Sequence, residues 1–498
     1  MKTSGKRIVI TADRSMMSDY HGIMFIGFSA TIPNKFMPDF FRQKTFFPTI
    51  ASHSDGTAKF APLGIRKIES ALLKNDFGGE VVVAHPDHLA KVVGSETKII
   101  GISTEDPLGK GPASSTFASI LGGEAYTTKS FRTLITHPLI RKYKSRVVVG
   151  GQGAWQLQDE KIMDKYNIDF LFLGEADTSI NEVFKNIIDG NQVPRIISGK
   201  PTPLEAIPCI ENPTINGIVE ISRGCDRGCS FCTPTLRGRI SRPIAHIMKE
   251  IELNFSHGVE KVLLQSEDIL RYGAKGIHVN SEKVKNLFRR VCSHPRFREL
   301  QVVHVSLSSV MDAPRLLGEL SEIAGVGKNQ PWIGAQTGIE TGSTKLMEKH
   351  MRGKAIPFTV KEWPEIVENG FGVLQDCGWL PAGTLVLGLP GETINDITDT
   401  LALLDDLYDY QSIIVPLFFA PTAQASLNER KSYKLDEKGQ YHRDVVSKCL
   451  DHDSKWAPLI IKTSLRNFNP FLRFNSQILL KLLVWSLRRN LKRIKPLS

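Results

Sequence analysis

"GIVEISRGCDRGCSFC" (Gly217 to Cys232) runs a β-branched, strand-like segment straight into a glycine-punctuated loop holding three of the chain's seven cysteines at spacing C-x3-C-x2-C. A structural zinc site closes on four ligands, commonly two C-x2-C knuckles, and no second knuckle follows here. Three thiolates in a polar loop of Arg, Asp, Gly and Ser point instead to an iron-sulfur cluster held by Cys225, Cys229 and Cys232, with one iron left open for another ligand. A strand that delivers such a loop also predicts an α/β fold, in which reactive loops sit at the carboxyl ends of strands.

Working outward, strand-like runs recur downstream at 261–268 (KVLLQSED), 300–309 (LQVVHVSLSS), 332–343 (WIGAQTGIETGS) and 383–393 (GTLVLGLPGET), with helical patterns between them. Repeated βα units of this length predict a partial (β/α)6 barrel of the TIM type over residues 201–410. Upstream, "RIVITA" (7–12), "EVVVAHP" (80–86), "KIIGIS" (98–103), "RVVVGG" (146–151) and "IDFLFLGEAD" (168–177) are short apolar runs ending in Gly, Asp or Ser. They predict buried parallel strands of a doubly wound, Rossmann-like domain over residues 1–200. The segment 198–214 carries four prolines and reads as a linker. Residues 411–498 are expected to be mostly helical and to end in a basic amphipathic tail.

The cysteine loop, with Phe231 before its last cysteine, resembles the defining motif of the radical S-adenosylmethionine (SAM) enzymes. The resemblance implies a four-iron four-sulfur cluster on Cys225, Cys229 and Cys232 and SAM on the open iron. It further implies reductive cleavage of SAM to a 5'-deoxyadenosyl radical, with a ferredoxin- or flavodoxin-type reductant as partner. The same family would place SAM contacts at Phe231, at Gln265, Ser266 and Glu267 (the carboxylate facing the methionine ammonium), and at Ser306 and Ser308. Glu340 in "GIETGS" and Gly388 and Gly391 in "GLPGET" resemble its fifth and sixth strand motifs.

A doubly wound domain ahead of such a barrel resembles the cobalamin-binding class of that family, with an archaeal-type membership implied. On this reading Ser103, Gly150, Gly151, Gly174 and Glu175 contact cobalamin from the strand ends. The D-x-H-x-x-G pattern is met only by Asp19 and His21, with Met24 standing where its glycine belongs, so His21 is not expected as the axial ligand. No G-x-G-x-x-G follows the first strand, which disfavours a dinucleotide. The Met- and Phe-rich insertion at 11–33 is expected to serve packing.

The remaining cysteines, Cys209, Cys292, Cys377 and Cys449, read as small buried hydrophobes, with Cys377 a candidate for facing the reaction chamber. Seven cysteines do not form a disulfide framework and "MKTSGKRIVI" lacks a signal-peptide core, so a reducing cytoplasm is expected. The net charge of +11 is concentrated at one end: after Asp453 there is no acidic residue, against ten Lys and Arg. The basic segment 469–495 predicts either packing on the barrel or an amphipathic helix at an anionic membrane surface or docked on a large partner, with nucleic acid not favoured. The function expected is cobalamin-dependent C-methylation of an unactivated carbon on a protein residue or lipid. Radical carbon-carbon bond formation or cyclisation on an isoprenoid membrane lipid is the alternative, and a non-catalytic cobalamin and cluster sensor the second.

Overall fold

The computed structural model describes residues 4–75, 77–234, 237–422, 425–435, 439–466 and 470–493. The chain forms two compact units, one drawn from residues 1–118, 123–219 and 249–259, the other from 119–122, 220–248 and 260–498.

The first unit is built on β1 (Ile8–Ala12), β2 (Val81–Val83), β3 (Ile99–Ser103), β4 (Arg146–Gly150), β5 (Phe170–Leu173) and β6 (Ile196–Ser198). They lie side by side in the order β2-β1-β3-β4-β5-β6, and every pair is parallel. Alternation along β1 explains why its run is continuously apolar. Ile8, Ile10 and Ala12 pack on one face with Ile65 and Phe184, while Val9 packs on the other with Ile100 and Phe131. A strand buried on both faces has no polar side to show. Strand order reverses at β1, which has β2 on one side and β3 on the other, so the loops after β1 and β3 flank a topological switch point. The five upstream runs are all strands. β6 opens the proline-rich segment; its isoleucines are only half-buried at the sheet edge, so no continuous apolar run marked it.

In the other sheets, β7 (Ile218–Glu220) leads to a two-residue antiparallel pair, β8 (Ser222–Arg223) with β9 (Ile240–Ser241). Then come β10 (Lys261–Gln265), β11 (Glu299–Val302), β12 (Ile333–Glu340), β13 (Trp379–Leu387) and β14 (Ile413–Phe418). Two three-stranded sheets result, ordered β11-β10-β7 and β12-β13-β14, and a single parallel bridge, His304 to Gln336, links β11's end to β12.

Two expectations are corrected by this count. Counting β7 and β10 to β14, "GIETGS" lies at the end of the fourth strand and "GLPGET" directly after the fifth, and the sixth is β14, in a stretch read from sequence as helical. Pro416 inside "IIVPLF" masks that strand, and it is tolerated because β14 lies at a sheet edge. "SLSS" is also not strand: β11 stops at Val302 and a helix, Leu307–Asp312, begins after Ser306.

The edge of β14 is covered by the long helix Gln440–Ser464, whose Asp453 accepts the Ile414 N–H at 2.9 Å and whose His452 meets Ser412 Oγ at 2.8 Å. Part of the Asp453 side chain reaches the surface, yet protein encloses it, and burial pushes its carboxyl up to about 8. A raised folded-state pKa means that the fold holds a proton the unfolded chain has released, so this group costs stability increasingly as pH rises from its ordinary 3.8 to about 8. Asp453→Asn keeps an oxygen for Ile414 and removes the titration. The melting temperature of the variant is expected to match the parent below about pH 4 and to exceed it by a margin that widens to roughly 5 °C or more at pH 8; a pH-independent difference would contradict this account.

Candidate functional site

The cysteine loop leaves β8 through Gly224, whose φ of +85° is a left-handed conformation. A Cβ there would stand 2.8 Å from the carbonyl oxygens of Arg237 and Gly238. This close approach lets the Cys225 N–H donate to both Pro234 O (3.0 Å) and Arg237 O (3.2 Å), folding the loop back on itself.

The other polar residues of the loop pin it from outside. Arg227 donates to the carbonyls of Lys354 (3.0 Å) and Ile356 (3.1 Å), to Asp268 Oδ2 (3.0 Å) and to Ser309 Oγ (2.9 Å). Gly353 permits this clasp, since a Cβ on it would fall 2.0 Å from Arg227 O. Asp226 is held by Arg271 and Arg239; burial opposes its charge, but the two guanidiniums outweigh it and keep the carboxyl below its usual range. Ser230 N–H donates to His350 O at 2.8 Å, and Ser230 Oγ meets His350 Nδ1 at 3.2 Å. Because Nε2 of His350 reaches Pro390 O at 2.9 Å, it carries the proton, and the serine donates to Nδ1.

Within this frame the three thiols are half-buried. Burial pushes all three up, Cys229 to about 11 and Cys232 to about 12, and each of these two also feels a neighbouring cysteine of the loop. Thiolates, the form iron binds, are thus costly here unless a cationic group accompanies them. Among the described residues no three Cys, His, Asp or Glu side chains converge tightly enough for a single ion. Three thiols match the demand of an iron-sulfur cluster for one thiolate per iron, with one iron left open.

Glu267 follows β10 and its charge reaches both Cys225 and Cys232. The adjacent Asp268 is consumed by Arg227, Ser309 Oγ (2.6 Å) and the Ser306 N–H (3.3 Å). The structure gives these two neighbouring carboxylates different surroundings. Ser266 Oγ is buried with no hydrogen-bond partner, as is Thr337 Oγ1 in β12, a residue that no motif had singled out. Gln265, the last residue of β10, is half-buried. Ser306 and Ser308 share a hydrogen bond of 3.0 Å, and Ser308 donates to Lys354 O at 2.8 Å.

Glu340 ends β12 with φ +63°, a strained conformation for a side-chain-bearing residue. Its carboxylate pairs with Lys354, whose charge also reaches Cys229. Burial works against the Lys354 ammonium, but Glu340 and Cys229 outweigh it and leave its pKa raised. The pair needs Gly338: a Cβ there would lie 1.9 Å from Glu340 Oε1 and 2.3 Å from Lys354 Nζ.

The glycines expected to admit SAM have room that side chains of this protein use. A Cβ on Gly388 would strike the Tyr433 ring at 2.2 Å, and one on Gly391 would meet Lys349 Nζ at 2.2 Å. Above Gly388 stands an array with no sequence signature. Tyr433 OH meets His442 Nδ1 at 2.8 Å, and His442 Nε2 meets Glu392 Oε2, which also accepts the Gly388 N–H at 2.7 Å. With the carboxylate accepting at Nε2, the phenol donates at Nδ1, and the three groups form a directed proton path. The spacing of the three residues, over 51 positions, hid it. Cys377 is placed differently from expectation: it precedes β13 and caps the helix Trp363–Asp376, at the strand's amino end rather than at its carboxyl end where Gly388 lies. Ligands of α/β sheets gather at the carboxyl ends of strands, the other end of β13.

In the first unit, the switch point is lined by acids. Asp13, just after β1, is buried, accepts from Ser15 N (2.8 Å) and Ser15 Oγ, and is pushed up by burial. Glu105, after β3, reaches solvent but is enclosed by surrounding protein; burial, then Asp13 and Asp106, push it up to about 7. Of the residues expected at cobalamin, Ser103 ends β3 and Gly150 ends β4. Gly151 (φ +95°) and Gly174 (φ +80°) let loops pack on each other: their Cβ atoms would meet Thr104 O at 2.4 Å and Gly199 O at 2.7 Å. Glu175 accepts the Thr202 N–H at 2.9 Å and so ties down the following segment. His21 is turned to Thr45 O at 3.1 Å. In the insertion Met17 is fully buried, while Phe25 is 52% exposed.

Residues 219–404, from β7 into the helix Ile394–Asp406, match the model of the radical SAM superfamily. Among curated proteins the chain is 29% identical over 204 residues to the tRNA-2-methylthio-N(6)-dimethylallyladenosine synthase of Magnetococcus marinus, covering 40% of this chain and 44% of that one. It is likewise 29% identical over 222 residues to the ribosomal protein uS12 methylthiotransferase RimO of Pseudomonas aeruginosa, covering 42% and 46%. The chain spans about half the length of the curated relatives it matches. Among solved structures, the radical SAM methyltransferase TsrM of Kitasatospora setae, with tryptophan and a SAM analogue bound, superposes with TM-score 0.53 at 15% identity. That alignment covers 83% of this chain and 74% of the other, a likeness of fold.

Proposed function

We propose that this chain is a radical SAM enzyme that transfers a methyl group with the help of cobalamin. The observation that carries the reading is the clasped loop of three desolvated thiols, with the Glu267 carboxylate and the orphaned Ser266 hydroxyl beside it. When bound, a four-iron cluster and SAM supply a 5'-deoxyadenosyl radical, and cobalamin carries the methyl group. Cys225, Cys229 and Cys232 would hold the cluster, and Glu267 would face the methionine ammonium. Ser266 and Thr337 would give their unused hydroxyls to the cofactor, and Lys354 would balance charge beside Cys229.

Cobalamin is supported by the α/β fold of the first unit and by the TsrM fold, solved elsewhere with cobalamin and a [4Fe-4S] cluster bound. In the first unit the acid-lined switch point and the loops after β3, β4 and β5 would receive it, with Ser103, Gly150, Gly151, Gly174 and Glu175 shaping those loops. Methylthio transfer, the activity named for the curated relatives, is the second reading. It requires a sulfur donor, and the four cysteines outside the loop stand apart in separate segments, with Cys209 and Cys449 buried. Methyl transfer asks nothing of them.

The test is anaerobic reconstitution followed by assay of iron, sulfide and corrinoid. About four irons per chain with one tightly held corrinoid that takes methyl from SAM is the expected result. Four irons with corrinoid refused would overturn the cobalamin part and favour radical coupling or cyclisation.

A further inference from the structure

The helix Pro470–Arg493 buries one face and leaves the other bare. Leu480 packs into the cluster of Ile413, Ala457 and Ile460, and Ser486, Leu487 and Leu491 are buried. On the opposite side Phe474 (63% exposed), Ile478 (39%), Leu482 (47%) and Trp485 (57%) follow one another at intervals of four, four and three residues. That spacing puts four large apolar side chains in one outward stripe. Lys481, Arg488 and Arg489 lie on the same exposed face, and Arg488 reaches Asp451 at 2.7 Å. No acidic residue follows Asp453; Lys495 lies outside the described residues.

We infer that this stripe seats the protein on an anionic phospholipid surface, with the four apolar side chains at the level of the acyl boundary and the cations among the headgroups. No helix among the described residues is long and apolar enough to cross a membrane, so the mode is interfacial. RNA is a poorer occupant: the face of Trp485 is already covered by the Arg489 guanidinium, 5.1 Å from the ring centroid, and Ile478 and Leu482 offer nothing to a base. A second copy of the helix would bring like charges together. The inference holds whatever reaction the cysteine loop serves.

The experiment is sedimentation of the full chain with vesicles of phosphatidylcholine alone, or with about 30 mol % phosphatidylglycerol. Partitioning is expected only with the anionic vesicles and is expected to weaken as salt rises. Lys481→Gln with Arg489→Gln should lower it by roughly 10–30-fold. Leu482→Gln with Trp485→Gln should lower it by about tenfold or more. All four side chains face solvent, so melting temperatures should not move. Equal binding to both vesicles, no binding to either, or variants that bind like the parent would overturn the inference. So would bulk tRNA held by the parent and lost by the Leu482 and Trp485 variant while vesicles are ignored.

Discussion

Cys229→Ala is expected to bring reconstituted iron from about four per chain to near background, and SAM cleavage under dithionite down by on the order of a thousandfold or more. The reason lies in the loop's construction. Its backbone and polar side chains are committed to Pro234, Arg237, His350, Lys354 and Asp268, so no neighbouring ligand can swing in to replace a lost thiol. Cys225→Ala and Cys232→Ala should behave alike. Cys377→Ala should change neither readout, because that thiol sits at the opposite end of its strand. Retention of a full cluster in any of the three loop variants would remove the basis of the proposed function.

Lys354→Met should have the second largest effect, this one on stability. Removing the ammonium leaves the Glu340 carboxylate buried and unpaired, a loss of about 3–5 kcal/mol in an unfolding titration. Adding Glu340→Gln to it should restore part of that loss, because the costly species is the lone charge rather than the missing pair. The pair borders Cys229, so the double variant separates two roles. A stable double variant that still assembles the cluster poorly would assign Lys354 a part in balancing thiolate charge. If the two single substitutions cost amounts that simply add, the two groups are not coupled and the electrostatic account fails.

Particular residues show why legibility was uneven. The three cysteines of the loop lie within eight positions, so their spacing alone constrains the chemistry. The five upstream strands were visible because a doubly covered parallel strand must be apolar throughout. β14 was hidden by Pro416, which its edge position accommodates, and β6 by its half-exposed isoleucines. The role of Gly388 and Gly391 is not legible in sequence: their missing side chains make room for Tyr433 and Lys349, partners 45 and 42 positions away along the chain.

The sequence by itself determined the C-x3-C-x2-C spacing, the α/β class and the positions of the five upstream strands. These follow from local spacing and from the period of apolar residues, which one stretch of chain contains in full. Tertiary structure alone decided which carboxylate is free, with Asp268 spent on Arg227 and Glu267 left beside the cysteines. It alone assembled Tyr433, His442 and Glu392, and turned Cys377 away. Those outcomes depend on which distant groups meet and which hydrogen bonds are already used, and a linear order of residues does not carry that information.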